Sequence, residues 1–315
     1  FVQTFTEFQD PGIFEINRIY PRVNLIPENE QHKINLNGEW KFHFVNHFHE
    51  RPVNFYQVEF DDSQWAYFQV PANWELHGYG YPVYVNQPNE FDNSRIPKVP
   101  ELNNSVGSYR KNVLIPNNWK DGHVFMNIGA IKSCVYLWIN GKFVGYAEDS
   151  KTNIEFDITH YVKYGKENQI SMQVIKWSDG SYFECQDFWR ISGVERDIYL
   201  YYTPSTYISD YQFNASLDST YTDGILDLNL QISSKGKLKK REQQHTVELI
   251  VEQGLPSTNL TDPLQFEKAF YSAKCVTIQD SLTSILWEQL VFQDVPVWSA
   301  ETPTLSQITL NLLDS

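Results

Sequence analysis

SCVYLWINGKFVGYAEDS, residues 133–150, reads as two strands folded onto each other. Val135 to Ile139 are apolar, aromatic or β-branched, the residue types that fit a pleated, half-buried surface. Asn140-Gly141 follows, and both residues tolerate the positive φ that a two-residue turn between twisted antiparallel strands needs. KFVGY then returns as the second strand. Working outward, the strand signal recurs. LNGEWKFHF, residues 36–44, has an Asn37-Gly38 turn and then alternates Trp40, Phe42 and Phe44, so one face is buried. From Tyr109 strand signals resume after a long loop, and GHVFMNIGAI, EFDITHYV and NQISMQVIKWSD are further strands. Many short strands separated by loops predict a β-sandwich.

The segment after residue 205 carries a second such pattern. ILDLNLQIS and HTVELIVEQ alternate cleanly, as half-buried strands do. SSKGKLKKRE between them, with Lys235, Lys237, Lys239, Lys240 and Arg241, reads as a solvated hairpin tip rather than a site for an anionic partner, given the acidic whole. Its length and period predict an immunoglobulin-like sandwich over residues 206–315. Nine Trp, 19 Tyr and 20 Phe among 315 residues give both sandwiches enough aromatic bulk for a core. The net charge of −14 argues against a nucleic-acid partner, which needs a basic face. No apolar run of the ~18 residues that a membrane helix needs is present. Cys134, Cys185 and Cys275 are scattered and match neither a disulfide framework nor a metal-ligand spacing. The chain opens on Phe1 rather than Met, so the expectation is a trimmed or processed start, with cytoplasm and periplasm both open.

The chemistry concentrates in WSDGSYFECQDFWRISGVERD, residues 177–197. The stretch holds five carboxylates (Asp179, Glu184, Asp187, Glu195 and Asp197) and five aromatics (Trp177, Tyr182, Phe183, Phe188 and Trp189). Carboxylates accept strong hydrogen bonds from hydroxyls. Flat aromatic faces cover C–H surfaces. A sugar offers both, although a surface loop beside a core has the same composition. A second informative stretch is VPANWELHGYGYPVYVN, residues 70–86, whose Gly and Pro residues forbid a long helix. His77 within it reads as a structural side chain rather than an acid or base. Sequence proximity alone does not make a catalytic pair of Glu184 with Asp179 or Asp187, because retaining and inverting pairs need defined separations of ~5 Å and ~6.5–9.5 Å.

The order of these residues resembles the β-galactosidases of glycoside hydrolase family 2. Those enzymes carry a WSDGSY-like run, an acid pair, QD, an aromatic with WR, then SG and RD. The family's acid at the position of Cys185 is missing here. LNGEW with its aromatic run, EFDIT, GKENQI, TYISDYQFNASL and the WSAETPTL segment are also similar to family runs. The opening EFQDPGIFEINR resembles the family's first segment through Glu7, Asp10, Asn17 and Arg18. The resemblance implies an all-β chain: an opening segment over residues 1–35, a jelly-roll sugar-binding sandwich over 36–205, and the immunoglobulin-like sandwich over 206–315. It further implies that Asn86 and Asp187 contact galactose and that Asp187 ligates sodium. Glu7, Asp10, Glu148 and Asp179 match the positions around a magnesium ion, and all carry the oxygen donors a hard cation takes. No organic cofactor is implied.

In the family both catalytic glutamates sit on a (β/α)₈ barrel that follows the immunoglobulin-like domain, and such a barrel needs ~250 residues. No segment here alternates strands and helices in that way. The resemblance is therefore to the N-terminal portion of a retaining β-galactosidase acting on terminal non-reducing β-D-galactose. The chain would supply galactose contacts and no catalytic residue, and its partners would be the galactoside and the barrel. Two other readings are a stand-alone carbohydrate-binding protein and a separately encoded subunit. Oligomerisation is compatible with all three.

Overall fold

The computed structural model describes residues 5–23, 30–84, 91, 93–184, 187–234, 243–254, 266–278 and 281–314. They form two compact units, Phe1–Thr203 and Pro204–Ser315. Both are built from antiparallel strands with short 3-10 turns.

The first unit stacks a large sheet on a smaller one. The large sheet has seven strands in the order Glu15–Ile16, Lys142–Ala147, Cys134–Ile139, Lys166–Ile175, Val106–Ile115, Gly38–Val45 and Ala66–Val70. The facing sheet runs Ile154–Asp157, His123–Ile128, Ile198–Thr203 and Lys33–Asn35. Trp40, Phe42, Tyr109, Leu137 and Met172 of the first meet Met126, Ile128, Phe156 and Leu200 of the second in one core. The outer face of the large sheet is covered as well. Tyr136, Trp138 and Tyr146 pack there with Phe8, Phe48 and Phe55. Because both faces are buried, every residue of Cys134–Ile139 is buried, and the run is continuously apolar rather than alternating. The hairpin at Asn140-Gly141 forms as expected, with φ of 51° and 79°.

The opening segment belongs to this unit. Glu15 and Ile16 add an edge strand beside Ala147 and Tyr146. Asn17 Nδ2 donates to the Val144 carbonyl at 2.7 Å, and Arg18 donates to the carbonyls of Asn153 at 2.8 Å and Glu148 at 3.4 Å. The strand expected from Tyr109 begins earlier, at Val106. Its first half lies between two neighbouring strands and is buried on both faces, so it lacks the alternation that marks a half-exposed strand.

In the second unit two three-stranded sheets enclose a core of their own. One has Gly224–Ser234 between Thr206–Leu217 and Leu282–Phe292; the other has Gln243–Gly254 between Phe266–Ile278 and Ser306–Asp314. Leu226, Leu228, Leu230 and Ile232 alternate inward to meet Val247, Leu249 and Val251. The basic tip at Lys235–Arg241 lies outside the described residues.

Candidate functional site

The acidic stretch follows directly on the strand Lys166–Ile175 within the first unit. It turns at once. Ser181 Oγ accepts from the Ser178 amide at 3.1 Å, and Ser181, Tyr182 and Phe183 amides bond back to Ser178, Asp179 and Gly180. The result is a one-turn helix, Ser181–Glu184. Glu184 then has both carboxylate oxygens engaged by Ser150, one by its amide at 2.7 Å and one by its hydroxyl at 2.5 Å. A carboxylate tied down this way anchors the loop and is not positioned as one half of a catalytic pair. Tyr182 adds a second anchor, donating to the Lys98 carbonyl at 2.8 Å while its ring meets Phe91 edge-on.

Asp187 stands at the exposed tip. The Tyr84 hydroxyl donates to its Oδ1, and that bond pushes the Tyr84 pKa above the ordinary phenol value. Trp189 and Arg190 pair with Tyr84 and Val83 in a two-residue antiparallel ladder. The Tyr84 and Trp189 rings lie 5.5 Å apart, and the side chains are 51% and 56% exposed. The tip therefore presents an accessible carboxylate beside two open aromatic faces. Beneath it, the buried Arg190 guanidinium lies 4.9 Å from the Phe188 ring centre and donates to the Phe188 carbonyl. Asn86, two residues beyond Tyr84, and Cys185 lie outside the described residues.

The loop carrying Tyr84 is held by Trp74. Its fully buried indole packs against Phe44 and donates to the Tyr109 hydroxyl. Two glycines admit that indole. A Cβ on Gly107 would sit 2.5 Å from Trp74 Cζ2, and one on Gly193 would sit 2.6 Å from the Ala72 carbonyl oxygen at a φ of +127°. After Trp74 the chain makes a single 3-10 turn, Glu75–His77, closed by Gly78 in the left-handed region. His77 is exposed and meets the Phe68 ring edge-on, in keeping with a structural side chain.

Of the four expected magnesium positions, Glu148 and Asp179 are brought together. Both are buried and share a hydrogen bond. Burial first, and then the neighbouring Asp179 carboxyl, push Glu148 up to about 8. Burial raises Asp179 as well, with the charges of Asp10 and Glu184 adding to it. Asp179 Oδ2 is buried without a hydrogen-bond donor. The Asp179 amide bonds to the Phe8 carbonyl at 2.9 Å, which brings the opening segment alongside. Glu7, also buried, accepts from the Tyr136 hydroxyl at 2.9 Å. Asp10 is exposed and accepts from the Gly12 amide at 3.0 Å. Among the described residues no three His, Cys, Asp or Glu side chains converge as a ready-made metal cage. The donor set is nonetheless all oxygen, with one orphaned acceptor and several carboxyl groups close together, which suits a hard cation.

Two residues that sequence reasoning did not single out are central to the same region. Lys176 Nζ pairs with Glu75 Oε1 at 2.7 Å, with side chains only 7% and 1% exposed. Glu75 Oε2 accepts from the Ser192 amide at 2.8 Å. The one signal available in advance is a lysine at the end of the apolar run QVIKW.

The sequence of this sandwich matches a known family. Residues 34–204 match the family described as "Glycosyl hydrolases family 2, sugar binding domain", and the chain belongs to that family. It is similar to the β-galactosidase of Priestia megaterium, with 35% identity over 318 residues covering 96% of this chain and 30% of that protein. The β-galactosidase of Halalkalibacterium halodurans is 36% identical over 321 residues, covering 97% of this chain and 29% of that protein. The chain thus spans about 30% of the length of these relatives. Its fold is also that of a Bacteroides uniformis β-glucuronidase, with a TM-score of 0.68 and 17% identity over 89% of this chain and 30% of that one.

Proposed function

We propose that the chain is the N-terminal portion of a retaining β-galactosidase and forms the galactose-side wall of its active site. The observation that carries this reading is the exposed Asp187 carboxylate, oriented by the Tyr84 hydroxyl and flanked by the open rings of Tyr84 and Trp189. A carboxylate so placed keeps lone pairs for sugar hydroxyls, and charge-assisted hydrogen bonds of this kind are strong. The rings offer apolar cover to the sugar's C–H face. Asn86 would add an amide, with two donors and an acceptor for neighbouring hydroxyls. The names of the similar β-galactosidases support galactose as the sugar.

Bond cleavage would lie elsewhere in the whole protein, on a barrel that carries the two carboxyls a retaining mechanism uses. This chain would orient the non-reducing galactose and exclude water from one side of it. Sodium would be held by Asp187, and magnesium by Glu148 and Asp179 with Glu7 and Asp10 nearby. Magnesium would neutralise the buried Glu148–Asp179 pair.

The test is a titration of the 315-residue chain with methyl β-D-galactoside and methyl β-D-glucoside, followed by saturation-transfer NMR. Weak, galactoside-selective binding that Asp187→Ala abolishes is expected. Binding that survives Asp187→Ala overturns the reading. Hydrolysis of a chromogenic galactoside by the chain itself, lost on changing Glu184, overturns the assignment of chemistry to another domain.

A further inference from the structure

We propose that Glu75 is a positioning residue that sets the place of Asp187, because its single carboxylate clamps both stems of the Asp187 loop to the loop that carries Tyr84. The inference rests on the reading of Asp187 as a sugar contact. It adds the device that holds this residue in place.

The geometry is specific. The loop tip lies within Trp177–Ile191, flanked by Lys176 on one side and Ser192 on the other. Glu75 reaches both flanks at once, through Lys176 Nζ at 2.7 Å on Oε1 and the Ser192 amide at 2.8 Å on Oε2. Glu75 itself cannot shift freely. It sits at the start of the 3-10 turn behind the fully buried Trp74, whose own amide donates to the Ser192 carbonyl at 2.9 Å. The Ser192 residue is therefore held through both its amide and its carbonyl by two consecutive residues of the 70–84 loop. Gly193 and Val194 extend the attachment by pairing with Asn73 and Ala72. At the other stem, Asn104 brackets Trp177, accepting from its amide at 2.9 Å and donating to its carbonyl at 3.0 Å.

Beyond these stems the tip is open. Phe183, Asp187 and Trp189 are exposed. The tip meets the 70–84 loop again through the ladder of Trp189 and Arg190 with Tyr84 and Val83, through the Tyr84–Trp189 ring contact, and through the Tyr84–Asp187 bond. Two attachments to one loop, at Glu75 and at Tyr84, fix both distance and direction. A buried ion pair adds little net stability over apolar side chains of similar volume. What this pair supplies is direction, since charge-assisted bonds hold a narrow geometry.

The experiment is amide hydrogen exchange by mass spectrometry on the whole 315-residue chain, without sugar. The variants are Glu75→Met/Lys176→Met, which removes both charges and keeps the volume, and Lys176→Arg, which keeps a charged donor for Glu75. In the double variant, peptides covering residues 187–191 should exchange at least about tenfold faster, a local opening. Peptides from the strands Val106–Ile115 and Lys166–Ile175 should lose protection by a clearly smaller factor, no larger than the fall in the first unit's global stability sets. Lys176→Arg should keep exchange at 187–191 slow. Unchanged exchange at 187–191 in the double variant overturns the proposal. So does an equal loss of protection at the tip and throughout the sandwich, which would make the pair merely structural, and so does a failure of Lys176→Arg to keep the tip slow. Methyl β-D-galactoside should then bind the double variant about tenfold more weakly, a change of ~1.4 kcal/mol. Because exchange is read without sugar, it stands or falls separately from the titration of Asp187→Ala.

Discussion

Replacing Lys176 by Met tests the energetics of the buried clamp. The substitution keeps an unbranched apolar stem and deletes the ammonium 2.7 Å from Glu75 Oε1. Glu75, with its side chain 1% exposed, is left with the Ser192 amide as its remaining donor. Breaking one side of a buried ion pair costs about 3–5 kcal/mol, because the surviving charge stays out of water. For a unit of this size each kcal/mol moves Tm by about 2–4 °C, so the first unit should melt about 6–20 °C lower. Adding Glu75→Met removes the stranded charge. The remaining penalty is an unpaired Ser192 amide, about 1–3 kcal/mol, so the double variant should recover part of the loss, to a deficit of about 2–12 °C. Differential scanning calorimetry of the parent, the single variant and the double variant reads this directly. A single variant that melts like the parent, or a double variant that melts below the single, would refute the reasoning.

Three further outcomes follow from the same structure. Glu148 has a folded pKa near 8 against an ordinary 4.5, so its contribution to stability is complete below pH 4.5 and lost as pH rises through 8. Without added divalent cation Tm should fall across that window, and magnesium should recover it above pH 8; a Tm that is flat with pH and insensitive to magnesium contradicts the pairing. Gly193→Ala forces a Cβ to 2.6 Å from the Ala72 carbonyl at a φ of +127°, and should destabilise the first unit by about 1–3 kcal/mol in urea unfolding. Leu228→Ala leaves a cavity in the second unit's core and should cost that unit about 2–5 kcal/mol, while hydrogen exchange of residues 106–115 stays unchanged.

Much of the fold was legible in the chain. Asn140-Gly141 marked its hairpin because a tight turn imposes backbone angles that few residues accept. Trp40, Phe42 and the alternating leucines from Leu226 marked strands with one buried face. Val106 was missed as a strand start because its strand is covered on both sides there and alternation disappears. The candidate site was legible in part. Asp187 was singled out from the other carboxylates of its stretch by the resemblance of CQDFW to the family's run, and the structure puts it at an open tip beside Tyr84 and Trp189. Glu75 and Lys176 gave little sign, since the bond joining them spans 101 residues and neither lies in a motif with a characteristic spacing. Glu184 invited a catalytic reading by composition, and only its bonds to Ser150 show that its oxygens are taken. Local patterns reveal which residues are buried or turned; they do not reveal which distant side chains meet.

The most direct test of the central claim is kcat/KM for a chromogenic β-galactoside, measured on the native polypeptide that contains this chain, with Asp187 intact and with Asp187→Ala. Loss of a charged hydrogen-bond partner for a substrate hydroxyl should lower kcat/KM by about 100-fold or more, with the Tm of the protein unchanged. A variant that keeps its kcat/KM within about twofold of the parent, a difference below ~0.5 kcal/mol, would contradict the assignment of Asp187 to the galactose wall.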